Sequence, residues 1–243
     1  MVPTSSAGYQ KSTGTFGLTV NIMTCEALTE IYRLLYDAFG PQHWWPGETQ
    51  LEIITGAILT QNTSWANVEK AITNLKSADC LTPEKLHHLD LAQLAGLIRP
   101  AGYYNIKAKR LKNFVNWLFD NYDGKLTNLE SIDTDRLRAE LLAIKGVGRE
   151  TADSILLYAF DRPIFVVDAY TARIVFRHGL IGPDADYEQL RELFESSLPP
   201  DTQLFNEYHA LLVRAGKEFC RPKARCTDCP LEKLPHTLDA EYF

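Results

Sequence analysis

The sequence predicts an all-α protein made of two helical subdomains. Three observations lead there. Apolar residues recur at the i, i+3, i+4 spacing of one helix face in segment after segment. Strand signals are nearly absent, the one candidate being the short apolar run PIFVV at 163–167. The segments are joined by connections of the length usual between packed helices.

Taken in order, residues 1 to 22 are rich in Ser, Thr and Gly without an apolar period, and read as a mobile tail. The helical period begins near Cys25, with Leu28, Ile31, Leu34, Leu35 and Phe39 on one stripe. Leu51, Ile54, Ile58 and Leu59 mark a second helix. Further helices are expected over 65–75, 83–89, 91–98, 106–119, 135–144, 151–160, 169–178, 187–198 and 203–219. Residues 46–160 are expected to form a central helical barrel whose last part, about 137–160, is a hairpin of helices. The other lobe would combine residues 23–45 with 161–243, including a cysteine loop at 220–236. No repeat of fixed period is visible.

Of the 243 residues, 45% are hydrophobic and 23% charged, enough apolar material for one large core or two small ones. No apolar run reaches the length of a membrane span, and the first residues lack a signal-peptide layout, so a cytoplasmic, membrane-free and monomeric protein is expected. Five cysteines, three of them (Cys220, Cys226, Cys229) crowded together, argue against a disulfide framework and point to a metal. The formal charge of −6 taken alone argues against a nucleic-acid binder. Positive charge is nevertheless concentrated locally, in Lys107, Lys109, Arg110 and Lys112, in Lys145 and Arg149, and in Arg221, Lys223 and Arg225. These read either as one DNA footprint or as three solvated surfaces.

The most informative segment runs from 141 to 174. Two amphipathic helices are separated only by Lys145-Gly146-Val147-Gly148-Arg149, a turn with glycines where the chain must reverse sharply. In such a helix-hairpin-helix, Gly146 and Gly148 let the backbone approach a phosphate. The amides and dipole of the next helix face outward, and Lys145 and Arg149 add charge. That grip does not read sequence. Asp168 follows twenty residues past Gly148 and reads equally as an N-cap or as a carboxylate facing a cleft.

These residues resemble the helix-hairpin-helix DNA glycosylases related to endonuclease III, whose signature runs from a GVG hairpin to an aspartate in a VD pair. The resemblance covers roughly residues 25 to 230 and implies double-stranded DNA with a damaged base as partner, held in a cleft between the subdomains. It gives Asp168 the catalytic role: stabilising the charge that develops on the sugar and positioning or deprotonating the attacking water. Strand-cleaving members carry a lysine two residues after the second glycine, where its amine forms a Schiff base. This chain has Glu150 there, so the resemblance implies base hydrolysis without strand cleavage, with Glu150 counted among the pocket residues. Glu150 also reads as a first-turn acid favoured by the helix dipole.

A second constellation is Trp44-Trp45-Pro46, followed by LTQNTSW with Gln61 and Trp65. Electron-rich rings suit a flipped base, a cationic alkylated purine above all; the same tryptophans also read as core. The layout resembles the bacterial 3-methyladenine glycosylases of endonuclease III type. That likeness puts Trp44, Trp45, Pro46 and Trp65 around the base. It makes Gln61 the residue filling the gap left by the flipped nucleotide, and Tyr103 a wedge with Lys107 following it. Trp65 stands where the family's phenylalanine is expected, which narrows the pocket.

In related glycosylases a terminal loop of four cysteines holds a [4Fe-4S] cluster. Here Cys220, Cys226 and Cys229 match three of them, and Pro235 falls at the fourth position with His236 beside it. Iron-sulfur with a different fourth ligand, zinc of Cys3His type and no metal all stay open. The expected function is monofunctional excision of an alkylated purine. A glycosylase for oxidised pyrimidines or mismatched bases and a non-catalytic DNA-binding module are the rivals.

Overall fold

The computed structural model describes residues 22–238, and within them every regular element is helical. Eleven α-helices follow in order among the described residues: α1 Ile22–Phe39, α2 Gln50–Leu59, α3 Trp65–Ser77, α4 Pro83–His88, α5 Leu91–Leu97, α6 Tyr104–Tyr122, α7 Thr134–Ala143, α8 Arg149–Phe160, α9 Ala169–Arg177, α10 Tyr187–Ser197 and α11 Thr202–Glu218. Short 3-10 turns occupy Arg99–Ala101 and Leu126–Leu129. The expected tail lies outside the described residues apart from Ile22, which opens α1. No helix among the described residues is long and apolar enough to cross a membrane.

Helix starts are set by short polar caps that satisfy the orphan amides of the first turn. Thr49, Thr82, Asp90, Asp133, Asp168 and Asp201 each accept from such an amide. Asp186 and Gln189 form a reciprocal capping box on α10. The largest departure from the sequence-based boundaries is α6. It starts at Tyr104 because Tyr103, in left-handed backbone (φ 43°), turns the chain into the helix, and it continues to Tyr122.

The apolar faces gather into two cores. One holds α2 to α7, the inner face of α8 and Ile164; the other holds α1, the segment 165–167, α9, α10, α11 and Leu231. Helix α8 belongs to both, being buried from Thr151 to Phe160. It gives Ile155, Leu156 and Ala159 to the first core and Leu157 and Tyr158 to the second. Each fully buried Leu, Ile or Phe in these cores contributes about 1.5–3 kcal/mol.

The apolar run PIFVV belongs to no helix and pairs with no strand among the described residues. Side chains take up its backbone groups instead: Glu195 accepts from the Phe165 amide at 2.8 Å, His209 Nδ1 donates to the Val166 carbonyl at 2.9 Å, and the Tyr187 hydroxyl meets the Val167 amide at 3.5 Å. A buried backbone must be paired with something, and two neighbouring helices, α10 and α11, supply the partners. This anchored segment delivers Asp168 to the junction of the two cores.

Candidate active site

The hairpin forms as the glycines predict, for different reasons at each. Gly146 has φ +100°, and a Cβ there would come within 2.4 Å of the Arg110 side chain, so both backbone and packing demand glycine. Gly148 has an ordinary φ of −94° and open space where its Cβ would be. What it leaves is room, next to the free amides of the first turn of α8. Lys145 is exposed beside the turn. Arg149 leans instead on Glu188 of α10 at 3.4 Å, a half-exposed contact of little energetic weight.

Asp168 caps α9. Its Oδ1 accepts from both the amide (2.7 Å) and the hydroxyl (3.0 Å) of Thr171. Among the described residues no protein group bonds to Oδ2, and that oxygen is not among the sealed, unpartnered atoms of the interior. Capping and an available carboxylate oxygen therefore coexist in one side chain. The position is fixed from α8 as well. Arg138 of α7 holds Asp153 through two hydrogen bonds of 2.6 and 3.1 Å, and Asp153 Oδ2 accepts from the Tyr187 hydroxyl at 2.8 Å. That hydroxyl meets the amide of Val167, the residue before Asp168.

Glu150, one helical turn before Asp153, lies within electrostatic reach of Asp168. Although the residue is exposed, surrounding protein desolvates its carboxyl. With the Asp168 charge nearby, its pKa is pushed up to about 7, against the pull of the helix dipole. No hydrogen bond or ion pair reaches its carboxyl among the described residues.

The tryptophans converge on the same place. Trp45 lies against Trp65 edge-on (centroids 4.9 Å, 78°) and against Trp44 (5.6 Å, 88°), and it stacks on Tyr158 (5.0 Å, 24°). Gly56 of α2 makes the closure of Trp45 on Trp65 possible, since a Cβ there would sit 3.2–3.3 Å from both rings. Pro46 is exposed at the rim. Three buried polar atoms here have no partner: Trp44 Nε1, Trp45 Nε1 and the Tyr158 hydroxyl. Burial, above all, holds the Tyr158 hydroxyl well above its usual pKa; the Trp44 indole N–H, near it but outside hydrogen-bond geometry, pulls the other way, and Asp168 and Glu150 add to the rise. Unpaired polar groups gathered at one aromatic cluster leave places for a ligand to supply the partner.

Two of these residues escaped the sequence reading. Tyr158 looks like one more core position of α8, yet it stands eight residues from Glu150, on the same helix face. His209, buried on α11 6.3 Å from the Tyr158 ring, is held neutral by burial despite Asp168, and the carbonyl of Val166 fixes its proton on Nδ1. Nothing in its local sequence signals that position.

Gln61 reaches from the end of α2 to the hairpin, donating to Thr151 Oγ1 at 2.9 Å and to the Gly146 carbonyl at 3.3 Å. Tyr103 stands out at 70% exposure beside Ile106, also exposed. Lys107 corrects the expectation of a surface contact: it is 1% exposed, its ammonium donating to the Ala101 carbonyl at 2.7 Å beneath the Tyr103 turn. Lys112 likewise turns inward, onto the carbonyls of Leu86 and His87. The first basic segment thus presents fewer cations than its composition promises.

A family model described as HhH-GPD superfamily base excision DNA repair protein matches residues 55–200. The chain belongs to the HhH-GPD superfamily. It is 53% identical, over 86% of its length and 96% of the relative's, to a protein of Methanocaldococcus jannaschii assigned as a DNA repair glycosylase. Among solved structures it is similar to the H. pylori 3-methyladenine DNA glycosylase bound to 1,N6-ethenoadenine, with TM-score 0.66, 30% identity and coverage of 80% and 97% of the two chains. It shares the fold of endonuclease III in a non-covalent DNA complex, with TM-score 0.74, 23% identity and coverage of 87% and 94%. The protein is accordingly a base excision DNA glycosylase of this superfamily, two-lobed and all-helical.

The cysteine loop of this HhH-GPD protein does not fit a cluster or a zinc ion. Cys220, Cys226, Cys229, Arg177, His178 and His236 line a cavity of about 20 Å³, room for roughly one water. Among the described residues no three His, Cys, Asp or Glu side chains are gathered to hold a metal. Arg177, almost fully buried, occupies the centre instead. It donates to Cys220 Sγ at 3.2 Å and to the carbonyls of Arg221 (2.7 Å) and Pro222 (2.8 Å). His236 Nδ1 is bonded to its own turn at Leu234, and burial pushes the Cys226 and Cys229 thiols up, away from the thiolate a metal needs. Arg221 is exposed but tied to the Lys217 carbonyl, while Lys223 and Arg225 are exposed nearby.

Proposed function

We propose that this protein is a monofunctional DNA glycosylase that flips an alkylated purine, with 3-methyladenine as the type substrate, into the pocket of Trp44, Trp45, Pro46, Trp65 and Tyr158. The observation that carries the reading is the free Oδ2 of Asp168 at the end of that aromatic wall, with a carboxylate at position 150 where strand cleavage would need an amine. A cationic base stacks well on indole, and its glycosidic bond is already weakened, so shape and one carboxylate suffice. The 30% identical H. pylori 3-methyladenine glycosylase supports the substrate class.

In this reading Gly146, Gly148 and Lys145 hold phosphate through backbone amides and charge, with Arg149 near the same strand. Tyr103 enters the duplex and Gln61 takes the space left behind. Asp168 then stabilises the sugar cation and orients the water that captures it. The test is release of free base from methylated duplex beside duplex containing oxidised pyrimidines, followed by borohydride treatment on an abasic site. Release from the methylated duplex alone, with no trapped complex, is expected. Preference for oxidised pyrimidines, or a trapped covalent adduct, overturns the reading.

A further inference from the structure

The mechanism above gives Glu150 no task, although it is the second carboxyl of the site and no hydrogen bond or ion pair among the described residues engages it. We infer that Glu150 is the proton donor to bases that leave without a positive charge of their own, which adds neutral purine lesions to the substrates of this site. The inference rests on the proposed base pocket and deepens it.

The geometry is a cluster of groups rather than one acid. Glu150 and Tyr158 share a face of α8, and Asp168 is held against that helix through Val167, Tyr187 and Asp153. The groups around Glu150 are the carboxylate of Asp168 at the start of α9, Tyr158 on α8 and Tyr187 on α10, none of them a cation. The neighbouring cations are engaged or outside: Arg149 pairs with Glu188, Arg138 with Asp153 and Glu188, and Lys145 is exposed beyond the hairpin. His209 of α11, facing Asp168, is neutral. From α2, Gln61 is occupied by Thr151 and Gly146. A carboxyl so placed is drawn toward its protonated form, burial and the Asp168 charge pushing its pKa up to about 7.

A purine alkylated on a ring nitrogen is already cationic and departs as a neutral base. An uncharged purine would depart as an anion unless a ring nitrogen is protonated as the C1′–N9 bond breaks. In the proposed step the Glu150 O–H bond breaks and its proton goes to that nitrogen, while the C1′–N9 electron pair stays with the base. Water adds to C1′ and gives its proton to Asp168, which releases it to solvent. Glu150 regains a proton from solvent, so each turnover consumes one water and no other reactant.

The experiment measures single-turnover excision of hypoxanthine and of 7-methylguanine from otherwise identical duplexes, by the wild type and by Glu150→Gln, across pH. The amide keeps the shape and cannot give up a proton. The ratio of neutral to cationic excision is expected to fall about 100-fold or more in the variant. The wild-type rate on hypoxanthine should decline as pH rises through about 7, and the variant should lose that limb. Equal loss on both substrates, an unchanged ratio, or wild type that releases 7-methylguanine but no hypoxanthine overturns this inference and leaves the proposed function standing. Wild type that releases neither overturns this inference, and the proposed function falls with it only when methylated duplex also yields no 3-methyladenine. Affinity for an abasic duplex reports whether the variant is folded.

Discussion

The indole of Trp45 lies on the ring of Tyr158, centroids 5.0 Å apart and planes 24° from parallel, so a residue of the segment before α2 and one in the last turn of α8 share a single wall. The Tyr158 hydroxyl at that wall has no partner and is too strongly buried to ionise. Its use is therefore as a neutral hydrogen-bonding group. Tyr158→Phe preserves stacking and removes only that group. Excision is expected to weaken by roughly 0.5–1.5 kcal/mol, the net worth of a neutral hydrogen bond. Trp45→Ala removes the stacked ring and should cost about 1–3 kcal/mol. Single-turnover rates on methylated DNA check both; a Phe variant worse than the Ala variant would contradict this division.

The sequence carried the fold because its helices are locally consistent. Caps such as Asp133, Asp186 and Asp201 start them, and one apolar stripe each sends them to a core. The hairpin and Asp168 were legible for the same reason: glycines and a cap leave local marks. What sequence did not disclose depends on contacts between distant segments. Lys107 has the composition of a surface cation, yet its ammonium serves the Ala101 carbonyl. Tyr158 has the pattern of core, yet its ring stacks on Trp45 and its buried hydroxyl is left without a partner. Both facts are set by which neighbours arrive from elsewhere in the chain.

Asp168 does two things with two oxygens, and they can be separated. Asp168→Asn keeps an Oδ1 acceptor for the Thr171 amide, so thermal unfolding should change by less than about 1 kcal/mol, since Asn and Asp are comparable caps. The variant loses the negative charge that opposes a developing sugar cation, and base release should drop at least about 100-fold with abasic-duplex affinity retained. An active Asn variant would remove Asp168 from the chemistry and leave it a cap.

Lys107 and Lys145 differ in a way that salt reveals. A lysine on phosphate contributes about 0.9 to the slope of log affinity against log salt. Lys145→Ala should lower that slope by about this amount. Lys107→Met should leave the slope unchanged while lowering stability by roughly 1–3 kcal/mol, because the Ala101 carbonyl beneath the Tyr103 turn is left unpaired. Titrations of fluorescent duplex over a range of salt measure the slopes, and equal slope changes would mean that Lys107 leaves its buried place to meet DNA.

The cysteine loop provides the last test, because an arginine and a metal make opposite demands on it. With Arg177 donating to Cys220 Sγ and to two backbone carbonyls, the loop is held by hydrogen bonds. Arg177→Ala strands acceptors at Arg221 and Pro222 and should destabilise the fold by about 1–3 kcal/mol for each that stays buried. The Cys226 thiol makes no hydrogen bond in that arrangement, so Cys226→Ser should be nearly neutral, and chelation or reduction should leave the melting temperature where it was. A metal-held loop would reverse the order: losing Cys226 would release the ion and collapse the loop, because binding energy at such a site is folding energy. Metal analysis of the purified wild type beside the two melting curves decides between them, and iron or zinc at one equivalent with a destabilised Cys226→Ser would refute the arginine-held loop.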